Sequence, residues 1–288
     1  MIIVLGATGN IGREVSDLLV KGEQEAVFLS RDLQKAPAQF TGHSMRVADL
    51  DDPTSLERAM VGGSKLLLVS PNSEAMQQQQ INAIRAASKV GIQHIVKISG
   101  TPKSVSEHSP SAVGRAHWHI EQELKAHAKT YSILQCNFFM QNLLGLQADM
   151  VRKSAKIMLP FSPSTAFRFI DTRDIAACAV HLLTDDKVES KTYKMCGSPS
   201  SFQKLADELS NLMGQQIRYK YVPMWLTKIV MLIKGMPKAH IQHQMEMAGL
   251  YRQGISDDPS DDVSLLTGRK VVLLPEFLKQ HIHHFTSK

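Results

Sequence analysis

The chain has 288 residues, of which 43% are hydrophobic and 21% charged, a composition that argues against a disordered or fibrous protein. Its length suits one large domain, or one domain with a smaller companion. The formal net charge is +6, but no run of lysine or arginine exceeds two residues. Because the positive charge is spread evenly, a solvated surface is favoured and no nucleic-acid partner is expected.

Targeting and redox signals are weak in this sequence. The three cysteines, Cys136, Cys178 and Cys196, are widely spaced and form no CxxC pair, so they predict neither a disulfide framework nor a zinc site. The apolar N-terminus is too short for a signal peptide, and the apolar stretch 224–236 contains lysines and is too short to span a bilayer. We therefore expect a cytoplasmic protein without a membrane partner. The sequence does not indicate its oligomeric state.

The first half of the chain alternates short apolar runs with helical patterns. Strands are predicted at 2–5, 25–30, 44–48, 65–70, 94–99 and 131–136. Helices are predicted at 10–21, 53–62, 73–91 and 111–128, with Ser73 as a candidate N-cap of the third. A further helix at 175–183 has Asp171 or Thr172 as its candidate cap. This alternation predicts an α/β protein with a Rossmann-type doubly wound parallel sheet.

The pattern changes near residue 196. A helix at 202–213, capped by Ser200 or Ser201, precedes a strand at 217–222, helical patterns at 223–234 and 238–252, and a closing helix at 275–285. We predict a Rossmann domain over 1–196 and a smaller, helix-rich substrate or lid subdomain over 197–288, with 151–165 as a segment that can pack beside it. Trp225 and the nearby methionines are expected mainly in helix–helix packing, and a lid over a flat ligand is the alternative.

A glycine-rich turn, GATGNIG at 6–12, lies between the first predicted strand and the first helix. A dinucleotide pyrophosphate binds backbone N–H groups at a helix N-terminus, and glycine lets the backbone approach it closely. Gly6 would then permit the tight turn, Gly9 the contact with phosphate, and Gly12 the packing of helix on strand. The candidate cofactor-binding residues are Gly6, Thr8, Gly9, Asn10, Ile11 and Gly12. The alternative is a purely structural glycine turn.

Residues after the second and third strands bear on the choice of dinucleotide. NAD-specific sites place a carboxylate at the end of the second strand, whereas this chain has Ser30-Arg31. The guanidinium of Arg31 suits a 2′-phosphate, which predicts that NADP(H) is preferred over NAD(H). Asp49, after the third strand, is a candidate partner of the adenine amino group. The alternatives are an ordinary surface arginine and an aspartate that caps the next turn.

Several motifs follow one another along the chain in a fixed order. They are GATGNIG at 6–12, Ser30-Arg31, Asp49-Leu50, Val69-Ser70-Pro71, GRAHWHIEQEL at 114–124, NFFMQN at 137–142, FIDTRD at 169–174, TGR at 267–269 and PEFL at 275–278. This order resembles the NmrA-like family of atypical short-chain dehydrogenases/reductases, and the resemblance covers nearly the whole chain. It implies that Ser70, Pro71 and Ser99 line an NADP(H) site.

The same resemblance implies that 137–142 lies beside the nicotinamide. Phe138, Phe139 and Asn142 then become candidate walls of a substrate pocket, with core packing as the alternative for the two phenylalanines. His117 and Asn137 are the candidates for a catalytic role, and an ordinary packed or surface histidine is the alternative for His117. No metal site is expected, because the histidines lack partners at a known ligand spacing.

The Tyr-x-x-x-Lys pair of ordinary short-chain dehydrogenases is missing, since no tyrosine has a lysine four residues on. The lysine that the related plant ether-reductase branch keeps is replaced here by Val113. Ketone reduction by the usual proton relay is therefore disfavoured, whereas a quinone or dye requires less, because the product oxyanion is weakly basic. The resemblance thus implies an NADPH-dependent oxidoreductase that transfers hydride to a small planar electrophile. The alternative is a redox sensor that binds NADP(H) and acts through a protein partner without turnover.

Overall fold

A computed structural model of the chain describes residues 1–35, 40 and 42–286. Its strands in chain order are Ile2–Leu5 (β1), Ala26–Ser30 (β2), Met45–Val47 (β3), Lys65–Leu68 (β4), His94–Ser99 (β5), Thr130–Cys136 (β6), Lys156–Leu159 (β7), Phe167–Arg168 (β8), Lys191–Met195 (β9), Pro199–Ser200 (β10) and Arg218–Tyr221 (β11). Seven of the described strands form one parallel sheet in the order β3-β2-β1-β4-β5-β6-β9. The strand order reverses direction between β1 and β4, which confirms the predicted doubly wound Rossmann-type sheet.

Four of the described helices begin directly after a residue whose side chain caps the first turn. The helices are Asn10–Lys21 (α1), Pro53–Met60 (α2), Met76–Lys89 (α3), Ala112–His127 (α4), Leu146–Ser154 (α5), Thr172–Thr184 (α6), Phe202–Met213 (α7), Met224–Ile233 (α8), Lys238–Arg252 (α9), Asp262–Thr267 (α10) and Leu274–His281 (α11). Side chains of Asp52, Ser111, Asp171 and Ser201 accept hydrogen bonds from first-turn N–H groups of α2, α4, α6 and α7.

Both faces of the sheet are covered, as a parallel sheet requires. Successive residues of β1 alternate between the faces: Ile2 and Val4 pack with α1 and α6, whereas Ile3 and Leu5 pack with residues of α2, α3 and α4. The carboxyl ends of β1, β4, β5 and β6 therefore meet at one open edge, between the two helical layers.

A second hydrophobic core lies beside the sheet. It joins residues between Met140 and Phe169 with residues between Phe202 and Phe285, and β7 pairs in parallel with β11. The segment 151–165 thus packs with the C-terminal part. By contrast, α10 packs on β9, a strand of the main sheet, and on α6, a helix that covers that sheet. Residues before position 196 therefore pack in the second core, and residues after it pack on the main sheet. The predicted domain division at residue 196 stays a prediction.

Several elements differ from the sequence-based expectation. The strand β9 carries no apolar run, because it forms an edge of the sheet and most of its side chains are partly exposed. The helix α3 begins at Met76, and Ser73 contributes its backbone carbonyl, not a side-chain cap. Helix α11 ends at His281 and continues as a short 3₁₀ turn.

The helix α8 differs from the expected packing. None of its residues is buried: Trp225 is 65% exposed and Ile233 is 80% exposed. The expectation that Trp225 packs in a helix–helix core is therefore wrong. No helix in the described ranges combines the length and apolar character that crossing a bilayer requires.

The cysteines are buried and free of disulfide bonds. Cys136 lies at the end of β6, Cys178 in α6, and Cys196 directly after β9. Burial raises the pKa of all three thiols, and that of Cys178 reaches about 12. Each thiol is thus protonated and packed as a small apolar group.

Candidate functional site

The three glycines of the first turn have different surroundings. Gly6 has a φ of +82°, and a Cβ on it would lie 2.3 Å from the Val69 carbonyl oxygen. A Cβ on Gly12 would lie 2.0 Å from the Gly6 carbonyl oxygen. Both glycines are therefore required for the turn itself. Gly9 has an extended backbone (φ −77°, ψ 171°), and a Cβ there would make an ordinary 3.5 Å contact. The chain conformation alone gives no reason for a glycine at Gly9.

The N-terminus of α1 has the chemistry of an anion site. Gly9 occupies the cap position, and neither a side-chain cap nor an acidic residue is present in the first turn of this described helix. The capped helices α2, α4, α6 and α7 differ from it in this respect. Thr8, Gly9 and Asn10 are exposed beside these amides. Backbone N–H groups and the helix dipole at this turn suit a pyrophosphate.

Arg31 and Asp49 lie at the carboxyl ends of neighbouring strands. Arg31 is exposed and directly follows β2, which pairs with β3 through Ser30 and Val47. The side chain of Asp49 accepts a hydrogen bond from the Asp51 N–H at 3.0 Å. Asp49 therefore stabilises the next turn, as one interpretation of the sequence expected, and its contact with adenine stays a prediction.

A cleft of about 270 Å³ opens at the carboxyl ends of β4, β5 and β6. Helix α9 forms one wall of the cleft and contributes His243, Gln244, Met247 and Tyr251. Most of the residues predicted near the nicotinamide and the acceptor line it, namely Ile11, Ser70, Ser99, His117, Asn137, Phe138, Phe139 and Asn142. Pro71 is exposed and is not among the lining residues of the cleft. Of the glycine turn, Ile11 is thus on the lining, and the positions predicted for the other residues of the turn beside the cofactor stay a prediction.

Asn137 is held by a hydrogen-bond network. Its Oδ1 accepts from the Ser256 hydroxyl at 2.6 Å and from the Phe138 N–H at 3.2 Å. Its Nδ2 donates to the Ser256 carbonyl at 3.4 Å and to the Cys196 sulfur at 3.7 Å. These bonds attach the end of β6 to the loop after α9. Asn137 therefore has a structural role, and a catalytic role for it stays a prediction.

The two phenylalanines after β6 face different clusters. Phe138 makes edge-to-face contacts with four aromatic rings of the second core, at centroid distances of 5.5–5.9 Å, from Phe167, Phe169, Phe202 and Tyr251. Phe139 packs against the cluster on the α1 and α6 face of the sheet. Both rings are partly buried and both line the cleft. Each therefore combines core packing with a surface toward the cleft.

A buried polar network lies beneath this cleft and reaches its lining at Ser99 and His117. Lys97 of β5 is fully buried, and its Nζ lies 3.0 Å from His117 Nδ1 and donates to the Ile98 carbonyl at 3.1 Å. The Ser99 hydroxyl donates to Glu121 at 2.6 Å, and the Gln135 amide donates to the same carboxylate. A lysine, a histidine and a carboxylate thus share one desolvated region next to the cleft.

Burial sets the protonation of these groups. It lowers the pKa of Lys97 to about 8, although Glu121 and Cys136 act in the opposite direction. Burial, together with the Lys97 charge, lowers the pKa of His117 well below its usual value. Sequence reasoning singled out His117 and missed the lysine. The available signal was a charged residue, Lys97, in the middle of an apolar strand that is buried on both faces.

The histidines near the C-terminus bring no metal site together. The structure holds no group of three potential metal ligands among the residues that it describes. His281, His283 and His284 lie with ring centroids 4.3–6.3 Å apart, in and after α11.

Comparisons with known proteins identify the family of the chain. Residues 1–272 match the NmrA-like family. The chain is 31% identical over 287 residues to an NAD(P)H azoreductase from Xenophilus azovorans, with 99% of both chains covered. An NADPH-dependent quinone oxidoreductase from Escherichia coli, solved with NADPH, has a TM-score of 0.89 at 25% identity and covers 98% of this chain and 100% of its own. A Citrobacter triphenylmethane reductase, solved with NADP(H), has a TM-score of 0.87 at 25% identity with the same coverage. The chain therefore belongs to the NmrA-like family, as the order of its motifs predicts.

Proposed function

We propose that the chain is a reductase that uses NADPH, in preference to NADH, to transfer hydride to a quinone, an azo dye or a similar planar electrophile. The observation that carries the proposal is a cleft at the carboxyl ends of β4, β5 and β6, which Ile11 of the glycine turn also lines. In an open α/β sheet this is where a dinucleotide and its substrate meet.

The cofactor would be held by residues at the carboxyl ends of four strands, β1, β2, β4 and β5. The uncapped N-terminus of α1 and the open space at Gly9 fit a pyrophosphate. Arg31, exposed after β2, would contact the 2′-phosphate, and Ser70 and Ser99 would lie beside the ribose and nicotinamide. When bound, NADPH supplies the hydride, and the protein contributes position and exclusion of water.

The acceptor would lie between the segment after β6 and the helix α9. Phe138 and Phe139 offer aromatic surface on one side, and Met247 and Tyr251 line the cleft from α9. Flat conjugated acceptors gain about 0.5–1.5 kcal/mol from each aromatic contact beyond the area that they bury. The names of the relatives support this acceptor class, since an azoreductase, a quinone oxidoreductase and a dye reductase are among them.

The test is steady-state oxidation of NADPH, followed at its absorbance band, with a panel of quinones, azo dyes and triphenylmethane dyes. We expect turnover with at least one acceptor, and a lower KM for NADPH than for NADH. The Gly9→Val variant, which blocks the phosphate position, serves as the inactive control. Tight NADPH binding without turnover of any acceptor would contradict the proposal and favour a redox sensor that acts through a partner protein.

A further inference from the structure

Hydride transfer to a neutral acceptor leaves a charge that needs a proton. An azo group that accepts hydride at one nitrogen becomes a strongly basic anion at the other, and a quinone becomes a weakly basic oxyanion. The chain lacks the Tyr-x-x-x-Lys pair that donates this proton in ordinary short-chain dehydrogenases. His117 lines the cleft, where such a donor is required, and the buried Lys97 lies behind it, with its Nζ 3.0 Å from His117 Nδ1.

The contacts of Lys97 fix the tautomer of His117. An ammonium group only donates hydrogen bonds, so His117 Nδ1, at 3.0 Å from Lys97 Nζ, acts as the acceptor. Because burial keeps the imidazole neutral, its single proton is then on Nε2. Among the described residues, Nε2 has no hydrogen-bond partner, and the ring lines the cleft.

Gly100 leaves room for this edge of the ring. It lines the cleft next to Ser99, and a Cβ on it would lie 2.9 Å from His117 Cδ2, the carbon bonded to Nε2. The imidazole thus has one nitrogen directed at the buried ammonium, and the opposite edge lies against a residue of the cleft wall. Glu121, held by Ser99 and Gln135, supplies the negative charge that favours a protonated Lys97 in this apolar setting.

We propose, on the basis of the reductase function above, that His117 and Lys97 are the proton-donating pair for acceptors that need a proton. His117 is the catalytic residue, since its Nε2–H contacts the acceptor. Lys97 is a positioning residue that fixes the tautomer of His117. It also transfers a proton to His117 Nδ1 when Nε2 gives up its own.

The step balances in atoms and electrons. The acceptor gains a hydride, which is two electrons and one hydrogen nucleus, and NADPH is oxidised to NADP⁺. The N–H bond at His117 Nε2 breaks, and its proton goes to the anionic nitrogen or oxygen of the acceptor. A proton from Lys97 Nζ moves to His117 Nδ1, which leaves a neutral amine and a neutral imidazole. After the product leaves, water in the open cleft returns one proton by the reverse path.

The groups around the pair define its pH dependence. Glu121 from α4 and Cys136 from β6 face Lys97, and His243 and Tyr251 from α9 face the cleft. Burial raises the pKa of Cys136, raises that of Tyr251 to about 12, and lowers that of His243. Lys97 is therefore the group expected to lose its proton as the pH rises through about 8.

The acceptor itself provides the control experiment. A triphenylmethane dye is a cation that becomes neutral when it takes up hydride, so its reduction needs no proton. In Lys97→Met and His117→Phe variants, we expect kcat for an azo dye to fall by about 100-fold or more, the usual contribution of general acid catalysis. The loss with the triphenylmethane dye should be much smaller, so the ratio of the azo-dye kcat to the triphenylmethane-dye kcat should fall by about tenfold or more, because hydride transfer to a cation uses no acid.

The wild-type enzyme gives a second, independent measurement. Its kcat for the azo dye should fall as the pH rises through about 8 and should decrease in D₂O, whereas kcat for the cationic dye should do neither. A matching loss with both dyes, or an unchanged azo rate in both variants, would overturn the proton-donating role. Absence of turnover with every acceptor in the wild type would instead contradict the reductase function itself. Normal NADPH binding by the variants checks that the cleft is intact.

Discussion

Replacing Gly9 with valine tests whether this glycine serves a ligand or the fold. Gly9 has a backbone conformation open to any residue, and a Cβ there would lie 3.5 Å from the Gly6 carbonyl oxygen, its nearest contact beyond the adjoining residues. A side chain at the cap position without an oxygen costs about 0.5–1 kcal/mol relative to glycine. Loss of glycine flexibility in the unfolded chain returns about 0.4–1 kcal/mol. These two effects nearly cancel, so the free energy of unfolding without cofactor should change by less than about 1 kcal/mol.

The effect on NADPH binding should be much larger. The valine side chain occupies the space into which the pyrophosphate would enter, and losing even one charge-assisted hydrogen bond costs about 1.5–3 kcal/mol. Since about 1.4 kcal/mol corresponds to tenfold in affinity, NADPH should bind at least about 10- to 150-fold more weakly. Isothermal titration calorimetry measures this affinity directly, and differential scanning calorimetry without cofactor measures Tm.

Gly12→Ala is the matched control. Its Cβ would lie 2.0 Å from the Gly6 carbonyl oxygen and 2.7 Å from the Gly6 carbonyl carbon, and both are backbone atoms that cannot move aside cheaply. Such overpacking costs about 3 kcal/mol, which lowers Tm by about 6–12 °C in a protein of this size. The reasoning is refuted if Gly9→Val lowers Tm as much as Gly12→Ala does, or if it binds NADPH normally.

Three further variants test other parts of the site. Arg31→Ala should remove most of a preference for NADPH over NADH that we expect to be about 1.5–3 kcal/mol; equal affinities in the wild type would contradict the role of Arg31. Phe139→Ala should lower kcat/KM for a quinone more than it changes NADPH affinity, and a change confined to Tm would make Phe139 a core residue only. Asp171→Ala should cost about 1–2 kcal/mol through the lost N-cap of α6. Burial opposes ionisation of Asp171, but hydrogen bonds from Arg173 and Gln141 lower its pKa overall, so its stabilising effect is complete at neutral pH and is lost as the pH falls below about 4. Urea unfolding at pH 7 and pH 3 checks this, since a constant difference from the wild type would exclude the charge as the cause.

The sequence predicts the sheet well because its central strands are buried on both faces. Short, nearly continuous apolar runs are a strong signal: β1 and β2 each carry four consecutive apolar residues and β4 three, whereas polar residues interrupt the runs in β5 and β6. The edge strand β9 gives no such signal, since its sequence KTYKM packs on one side only. The glycine turn is also predictable, because Gly6 and Gly12 each meet a local backbone requirement and Gly9 leaves space where a phosphate would approach.

The polar network beneath the cleft is not predictable in the same way. Lys97 meets His117 across 20 residues of chain, and Ser99 meets Glu121 across 22, through side-chain directions that only the packing of α4 on the sheet determines. Asn137 meets Ser256 across 119 residues. The motif order places these residues in one region, but it does not distinguish a residue that holds the scaffold together from one that faces the substrate.

The buried cysteines allow transient opening of the folded protein to be measured by thiol alkylation. Only a thiolate reacts with an alkylating reagent, so Cys178 in α6 and Cys196 after β9 should be labelled chiefly through molecules that have transiently opened. Labelling rates then measure how often each part of the protein opens, without any engineered cysteine. Cys136 also lines the cleft, and a dinucleotide that rests on it would slow its alkylation beyond the general stabilisation of the fold. A mass spectrum taken over time would thus show cofactor occupancy and local opening at separate positions of one chain.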